Sequence, residues 1–96
     1  MATVSSPEVS IIIAARNSWG DLEVCLPSII GGGACRYELI VVDNGSTDGT
    51  VRRLRSAYPN APTIVIANTS NLGHCRAINQ GLRAASGEFV LVLDAA

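Results

Sequence analysis

Four short runs of apolar residues divide the chain at regular intervals. They are VSIIIAA at residues 9–15, ELIVVD at 38–43, TIVIA at 63–67 and EFVLVLD at 88–94. Each run is nearly continuous and rich in β-branched residues, which is typical of strands covered on both faces. About twenty residues separate successive runs, enough for the dozen or more that a parallel crossover needs. The pattern therefore predicts four buried, parallel strands.

The second crossover carries the signature of an amphipathic helix. Its apolar residues recur at positions i, i+3 and i+7, namely Val51, Leu54 and Tyr58. Such a stripe forms one face of a helix. Ser46 or Thr47 is placed to cap this helix, and Asp48 is placed in its first turn, where a carboxylate interacts favourably with the helix dipole.

The other two crossovers also predict helices. In the third crossover the apolar face is formed by Cys75, Ile78, Leu82 and Ala85, and Ser86 with Gly87 supplies a C-terminal stop. In the first crossover, Pro27 would cost about 3 kcal/mol inside a helix, which predicts a kinked or shortened helix ended by the glycines at 31–33. Alternating strands and helices predict an α/β fold, a Rossmann-like arrangement of three layers around a mainly parallel four-stranded sheet.

The composition is that of one compact domain. The 96 residues are 48% hydrophobic and only 16% charged, as expected for a packed core rather than a disordered segment. We expect residues 1–8 to form a flexible leader and residues 9–96 the folded portion, which stops directly after the fourth strand. A net charge of −1 gives no long-range attraction for phosphate backbones, which argues against a nucleic-acid partner.

The cysteines indicate a reducing compartment. Cys25, Cys35 and Cys75 form no CxxC pair and are odd in number, which argues against a disulfide framework or a zinc site. We therefore expect a cytoplasmic protein. The first eight residues lack the basic and apolar regions of a signal peptide, and no apolar run approaches the roughly 20 residues that cross a bilayer.

Polar residues gather where the predicted strands end. The residues at these ends are Ala14, Ala15, Arg16 and Asn17, then Asp43 and Asn44, then Asn68, and finally Asp94. In an open parallel sheet, ligands bind beyond the carboxyl ends of the strands, because loops converge and helix N-termini point outward there. We therefore expect a binding site at this edge.

Asp43 has two interpretations. At the tip of the second strand, its carboxylate is placed to accept hydrogen bonds from a ribose hydroxyl or a base N–H. Alternatively, Asp43, Asn44 and Gly45 form only a turn, in which side chains bond to the local backbone. The pattern alone does not choose between the two.

The loop after the first strand narrows the ligand class. It has the sequence AARNSWGD, without the glycine-rich turn that seats a dinucleotide pyrophosphate, so a nicotinamide or methyl-donor Rossmann domain is disfavoured. A nucleotide diphosphate bound here would need another counterion for its charge. Asp94 is placed to hold a divalent metal ion through oxygen, or it is an ordinary residue at a strand end.

Three further side chains, His74, Arg76 and Trp19, have both a structural and a functional interpretation, and a fourth, Cys75, has a structural one only. We expect His74, at the start of the third helix, to be solvated or capping rather than a base. Arg76 is placed on the surface or against a phosphate. Trp19 packs over the first loop or stacks on a base, and Cys75 has the spacing of a small buried hydrophobic residue.

Three stretches carry a resemblance to a known family. They are VSIIIAARNSWGDLEVCLPSI, ELIVVDNGSTDGTV and NLGHCRAINQGLRAASGEFVLVLDAA. From residue 9 to its end, the chain resembles the nucleotide-binding half of the inverting family 2 glycosyltransferases, which have the GT-A fold. The resemblance implies transfer of a sugar from a nucleotide diphosphate sugar, UDP- or dTDP-linked, to an acceptor hydroxyl, with Mn²⁺ or Mg²⁺ as the cofactor.

The resemblance also implies roles for individual residues. The matched donor-binding positions are Ala14, Ala15, Asn17, Asp43, Asn44 and Asp94. Among them, Asp43 matches the family acid that contacts the base or the ribose. Asp94 matches the first acid of the family's DxD motif, which engages the donor diphosphate through the metal.

Two features of the family are missing from this sequence. The third position of the DxD motif is Ala96 rather than an acid. The family's catalytic base and acceptor-binding half lie downstream of residue 96, so no catalytic residue is assigned and enzymatic activity is left open. The alternative function is a non-catalytic α/β binding or interaction module that self-associates through an exposed apolar edge. The acceptor and any membrane association of the whole protein are left open.

Overall fold

Four strands alternate with three helices in the structure, which is a computed structural model. It describes residues 7–31 and 36–94, and for residue 94 it describes the backbone only. The strands are β1 (Val9–Ala15), β2 (Tyr37–Asn44), β3 (Thr63–Asn68) and β4 (Phe89–Asp94). The helices are α1 (Trp19–Gly31), α2 (Thr50–Ala57) and α3 (His74–Ala84). The order of these elements is the one that the apolar runs predict.

All neighbouring strands of the sheet are parallel, in the order β3-β2-β1-β4. Val9, at the start of β1, pairs with Tyr37 on one side and with Phe89 on the other. Because each crossover returns the chain to the same edge, the four strands end together at one edge, here called the rim. The predicted α/β class with a parallel four-stranded sheet is confirmed.

The two faces of the sheet carry separate apolar clusters, as the alternation of side chains along a strand requires. The buried cluster on the face of α1 and α2 is Ile11, Ile13, Ala15, Leu22, Leu26, Leu39, Val41 and Leu54. The buried cluster on the face of α3 is Ile12, Ile40, Val42 and Ala77. Consecutive residues of β1 and β2 therefore belong to different layers, which gives the three-layer arrangement.

Helix α3 meets the sheet through smaller residues than the apolar pattern predicts. Ala77 and Gly81 are buried, whereas Cys75 and Leu82 are exposed. A Cβ atom at Gly81 would lie 2.5 Å from Cγ2 of Ile12. Of the predicted face, Ile78 and Ala85 do pack against the buried cluster on this side of the sheet. The places predicted for Cys75 and Leu82 are wrong, because the glycine lets the helix backbone approach the sheet more closely than a large side chain allows.

Helix α1 contains Pro27 and still runs for 13 residues. Because proline has no N–H, the carbonyl of Glu23 loses its helical partner. Leu22 and Leu26 are fully buried against the sheet, and their burial offsets that loss. The helix is therefore not shortened at Pro27, and the other expected outcome, a kink there, stays a prediction. Two of the three glycines expected to end this helix lie outside the described residues.

The start of α2 also differs from the prediction. Gly49, with a φ of 78°, is the N-cap, and Thr50 is the first helical residue. Asp48 therefore precedes the helix, and its Oδ1 accepts a hydrogen bond from the Thr50 N–H at 3.0 Å. The predicted capping by Ser46 or Thr47 is wrong, because both residues bond to the loop that follows β1 instead.

The outer strands are more exposed than four uninterrupted apolar runs predict. Strand β4 lies at one edge of the sheet, where Phe89 is 64% exposed and Leu91 47%. Strand β3 lies at the other edge and contains no buried residue. The prediction of strands covered on both faces therefore holds for β1 and β2, which lie in the middle of the sheet.

Glu8, the last residue of the expected leader, is bonded to the sheet. Its N–H donates to the Arg36 carbonyl at 2.8 Å, and its own carbonyl accepts from the Phe89 N–H at 2.9 Å. Its carboxylate lies 3.7 Å from the Arg36 guanidinium. Residues 1–6 lie outside the described part of the chain, so the flexible leader as a whole stays a prediction.

Candidate functional site

The rim brings two acidic residues to either side of β1. Asp43, near the end of β2, pairs with Ala15, and Asp94, at the end of β4, pairs with Ala14. Neighbouring strands lie about 4.8 Å apart, so the backbones of the two acids are about 10 Å apart across β1. Both acids therefore belong to one edge of the sheet, as expected from the sequence.

The Asp43 side chain closes a turn at the end of β2. It is only 3% exposed, and its Oδ2 accepts a hydrogen bond from the Ser46 N–H at 3.1 Å while Oδ1 accepts one from the Ser46 hydroxyl. These are the local bonds expected if Asp43, Asn44 and Gly45 form a turn. A carboxylate offers about four acceptor positions, so two are left for a ligand. Asp43 also lines a groove of about 530 Å³ with Ser46, Thr50 and Arg52, so it is not sealed in apolar packing.

Asn17 fastens the loop after β1 to the loop after β2. Its Oδ1 accepts hydrogen bonds from the Thr47 N–H at 2.7 Å and the Asp48 N–H at 3.2 Å. Its own N–H donates to the Ser46 hydroxyl at 2.8 Å. The predicted donor-binding residue Asn17 thus holds the turn that carries Asp43.

Asp48 lies between the first residues of two helices. Its Oδ2 accepts a hydrogen bond from the Trp19 N–H of α1 at 3.2 Å, and its Oδ1 accepts from the N–H and the hydroxyl of Thr50 in α2. A carboxylate at a helix N-terminus satisfies unpaired N–H groups there. The hydrogen bond from the Thr50 hydroxyl lowers the pKa of Asp48. Burial opposes this effect, and the bond from the Trp19 N–H adds to it.

Asn44 is the centre of a second network, on the α3 side of the rim. Its Oδ1 accepts hydrogen bonds from the Leu72 N–H and from Asn68 Nδ2, both at 3.1 Å, and its Nδ2 donates to the Gly73 carbonyl at 3.2 Å. Asn68 also exchanges two hydrogen bonds with Gln80 of α3, at 2.7 and 2.9 Å. Asn44 is only 5% exposed, so most of its hydrogen-bonding capacity holds the start of α3 in place.

A cavity of about 190 Å³ opens at the rim beside β1. Its lining is Ala14, Ala15, Arg16, Asn44, Asn71 and His74. Three of the predicted donor-binding residues therefore share one cavity, whereas Asp43 lines the groove beside α2. The separation follows from the strand geometry, because successive side chains of β2 point to opposite faces of the sheet.

The remaining candidates lie in different places. His74 reaches the rim cavity, whereas Arg76 lines a separate depression on α3 with Gln80. Trp19 is partly buried and packs against the core cluster of α1 and α2, in agreement with the structural interpretation. Cys75 is an exposed free thiol, so its expected burial is wrong; Cys25 is also free, and Cys35 lies outside the described residues.

The described residues hold no ready-made metal site. Among the described side chains, those of residues 7–31 and 36–93, no three His, Cys, Asp or Glu come together in a way that could bind a metal ion. In the same part of the chain, no helix is long and apolar enough to cross a membrane.

The role of Asp48 is the feature that sequence reasoning missed. Its bond to Trp19 joins residues 29 positions apart, and its assignment to the first turn of α2 considered only the nearest helix. The available signal was an excess of polar side chains between β2 and α2, namely Ser46, Thr47 and Asp48, which is more than one turn and one cap require.

Comparison with known proteins gives a consistent result. A family model described as Glycosyl transferase family 2 matches residues 10–95. An uncharacterised glycosyltransferase of Escherichia coli strain K12, YibD, is 31% identical over 91 residues. This match covers 95% of the present chain and 26% of the relative.

Solved structures share the fold. The mannosyltransferase PcManGT of Pyrobaculum calidifontis, in complex with GDP-Man and Mn²⁺, has a TM-score of 0.80 and 33% identity over 95% of this chain and 28% of that one. Staphylococcus aureus TarS 1–349, in complex with UDP-GlcNAc, has a TM-score of 0.84 and 30% identity over 92% and 26%. The present chain thus spans about a quarter of the length of these proteins.

Proposed function

This chain belongs to glycosyltransferase family 2, and on that premise we propose that it is the donor-binding region of an enzyme that transfers a sugar from a nucleotide diphosphate sugar to an acceptor hydroxyl. The family resemblance and the Rossmann-like GT-A fold expected from the sequence are both confirmed. Related structures contain GDP-Man or UDP-GlcNAc, so a nucleotide sugar is the ligand class that these relatives favour.

The observation that carries this proposal is the position of Asp43 and Asp94 on the two strands that flank β1. Their backbones end at the same rim, about 10 Å apart, a separation comparable to the length of a nucleoside diphosphate. In this proposal Asp43 serves the nucleoside and Asp94 the diphosphate, although their partners in β1, Ala15 and Ala14, belong to opposite faces of the sheet, so the donor would lie across the end of β1. Ala14 and Ala15, the small residues of β1 between them, both line the cavity at the rim.

Asp43 would recognise the nucleoside through its remaining acceptor positions. A carboxylate at the end of a parallel strand suits a base N–H or a ribose hydroxyl. Its turn with Ser46 fixes the carboxylate before the ligand arrives, which lowers the ordering cost of binding. Asn17 and Asn44 would act mainly by holding the flanking loops, as their hydrogen bonds indicate.

Asp94 would supply one carboxylate oxygen to a divalent cation, Mn²⁺ or Mg²⁺. A carboxylate oxygen suits such an ion, and phosphate oxygens of the nucleotide and water would supply further ligands. A cation bound there would neutralise charge on the diphosphate leaving group. Neither an acceptor site nor a base that deprotonates the acceptor is assigned to this chain, and its cytoplasmic location remains a prediction from the cysteines.

Isothermal titration calorimetry of the 96-residue chain tests this proposal. The ligands are UDP-GlcNAc, dTDP-glucose and GDP-mannose, each with Mn²⁺ and with EDTA, and NAD⁺ is the control that also carries a pyrophosphate. We expect at least one nucleotide sugar to bind with a Kd of about 1 mM or lower in Mn²⁺ and more weakly in EDTA. Absence of heat with every nucleotide sugar, or a preference for NAD⁺, would contradict it.

The second candidate is a non-catalytic interaction module that self-associates. Strand β4 favours it, because Phe89, Val90, Leu91 and Val92 are each more than 40% exposed, at 64, 45, 47 and 43%. A long apolar edge strand is a template for pairing with another chain. Size-exclusion chromatography that shows an obligate oligomer, together with no nucleotide-sugar affinity, would favour this candidate over the transferase.

A further inference from the structure

Strand β3 forms one edge of the sheet, and in the described part of the chain no strand pairs with its outer side. Its inner neighbour is β2, and the strand order begins with β3. Proteins usually protect such an edge with a charged residue or a proline in the strand. The six residues of β3 include neither. The strand is therefore open to an additional strand on its outer side.

The register shows which backbone groups of β3 face outward. The Leu39 N–H of β2 donates to the Pro62 carbonyl at 2.8 Å, and Leu39 pairs with Thr63. In a parallel pair, alternate residues direct both backbone groups to one neighbour, and the residues between them direct both groups to the other side. Val65 and Ala67 therefore present their N–H and C=O groups outward, while the residues that flank them bond to β2.

One arginine borders this edge on the α2 face of the sheet. Arg55 is exposed and lines a cavity of about 330 Å³ with Thr63 and Val65 of β3. No acidic residue lines this cavity or lies in α2, and Arg55 forms no ion pair with a described acidic residue. A side chain of an added strand that points to this face therefore meets a positive charge.

Two arginines border the same edge on the α3 face. Arg76 and Arg83 line a depression of about 300 Å³ together with Gln80. Gln80 exchanges two hydrogen bonds with Asn68, the last residue of β3, so the depression lies beside this strand. Helix α3 contains no acidic residue, and within the described chain neither arginine forms an ion pair. Both faces of the edge therefore carry positive charge.

We propose that β3 is a docking edge for an extended, acidic segment of a partner protein, which adds to the sheet as a fifth strand. Main-chain hydrogen bonds to Val65 and Ala67 supply affinity that does not depend on the sequence of the segment. Successive side chains of a strand point to opposite faces, so acidic residues on both faces of the segment pair with Arg55 on one side and with Arg76 and Arg83 on the other.

The combination of charge and strand geometry selects this class of partner. A second copy would bring the arginines of its own β3 edge against those of the first, and like charges disfavour that pairing. A nucleic acid would attract the arginines but offers no strand to the outward N–H groups. The inference rests on the edge of β3 and holds whether or not the chain binds a nucleotide sugar. Arg55 also lines the groove at Asp43, so Arg76 and Arg83 carry the test of charge.

Hydrogen–deuterium exchange followed by ¹H–¹⁵N NMR of the 96-residue chain tests this edge. The probe is a capped peptide of about eight residues in which pairs of glutamates alternate with pairs of valines, so that each face of the added strand carries acids. We expect a Kd of about 1 mM or lower, and exchange of the Val65 and Ala67 amides slowed at least about tenfold. The Ile64 and Ile66 amides, which bond to β2, should change little.

Two control peptides separate strand pairing from charge alone. Lysine in place of every glutamate should abolish binding, because it places like charges on both faces of the edge. N-methylation of every valine keeps the charge but blocks hydrogen bonding on both edges of the peptide, and it should weaken binding at least about tenfold. Equal affinity of the methylated peptide would overturn the proposal. Unchanged exchange at Val65 and Ala67, or no saturable binding, would also overturn it.

The double variant Arg76→Gln, Arg83→Gln should weaken the glutamate peptide about tenfold, at roughly threefold for each exposed ion pair, and Arg55→Gln about threefold. Arg53→Gln is the matched control, because Arg53 is an exposed arginine of α2 that lines neither cavity beside β3. It should leave the affinity nearly unchanged. Native affinity in the double variant would overturn the proposal, as would a single-stranded oligonucleotide that binds more tightly than the peptide.

Discussion

The side-chain oxygen of Asn17 lies 2.7 Å from the backbone nitrogen of Thr47 and accepts its hydrogen bond. The bond joins the loops that follow β1 and β2, which are 30 residues apart in the chain. Asn17 has a φ of 50°, in the left-handed region that asparagine tolerates better than most residues. Two properties of asparagine, its backbone tolerance and its amide oxygen, therefore meet at this position.

Replacing Asn17 by alanine should lower the free energy of unfolding by about 1–2 kcal/mol, because the Thr47 and Asp48 amides lose their acceptor and alanine is strained at a positive φ. Urea denaturation measures this change. Asn17→Asp keeps an acceptor oxygen and should be closer to the native stability. If Asn17→Ala unfolds at the native urea concentration, the two loops are not held together by this side chain.

Gly81→Ala should destabilise the chain by about 1–3 kcal/mol, because the new methyl group would overlap Cγ2 of Ile12 and push α3 away from the sheet. Gly20→Ala in α1 is the matched control, since a Cβ atom there meets nothing within 4 Å. It should be neutral or stabilising by up to about 1 kcal/mol, through helix propensity. Equal thermal shifts of the two variants would contradict the close packing of α3.

The hydrogen bonds of Glu38, near the start of β2, lead us to expect that the folded chain loses stability in acid. Burial opposes its ionisation, but hydrogen bonds from the Ser10 hydroxyl at 2.5 Å and the Ser86 N–H at 2.7 Å outweigh burial and lower its pKa from 4.5. The pKa of Asp48 is likewise lowered, from 3.8. Both groups therefore add stability above these values, and this stability is lost as the pH falls through their folded-state pKa values.

Chemical denaturation at a series of pH values measures this dependence. The native chain should lose stability steadily below about pH 4.5, where the unfolded carboxylates begin to bind protons more readily than the folded ones. The double variant Glu38→Gln, Asp48→Asn should be less stable at pH 7 and show a flatter profile. A native profile in the double variant would mean that other carboxylates control the acid transition.

The exposed apolar strand β4 predicts self-association of the isolated chain. Replacing Val90 and Val92 together by lysine should shift the sedimentation profile toward the monomer, because charged edge strands resist pairing. Val24→Lys on α1 is the control, since Val24 is 77% exposed but belongs to no strand edge. A native chain that stays monomeric at all concentrations in analytical ultracentrifugation would contradict the prediction.

The strands and the rim could be predicted because parallel strands bury both faces and therefore leave long apolar runs in the sequence. The same apolar runs overestimate the burial of β3 and β4, since an apolar run does not reveal which strands lie at the edges of the sheet. Hydrophobic spacing assigns Cys75, Ile78, Leu82 and Ala85 to the buried face of α3, and only Ile78 and Ala85 of these pack against the buried cluster. The structure uses Ala77 and Gly81, because close helix–sheet contact selects for small size, which a hydrophobic pattern does not register.

The candidate site was predictable in its position but not in its connections. Asp43 and Asp94 were found because each ends a strand, a property that the local sequence reveals. The bonds of Asn17 to Thr47 and of Asp48 to Trp19 cross about 30 positions, so they depend on loop geometry that no spacing rule contains.

A calorimetric comparison of the native chain with Asp43→Asn and Asp94→Asn, each titrated with one nucleotide sugar in Mn²⁺ and in EDTA, tests the central claim most directly. Ser46→Ala is the control that removes the hydroxyl hydrogen bond to Asp43 Oδ1 but keeps the Asp43 carboxylate and its bond from the backbone N–H of residue 46. Asp94→Asn should bind as weakly in Mn²⁺ as the native chain does in EDTA. Asp43→Asn should lose about tenfold in both buffers and keep its response to Mn²⁺. A full Mn²⁺ response in Asp94→Asn, or native affinity in Asp43→Asn, would contradict the claim that the two acids bind opposite ends of one donor.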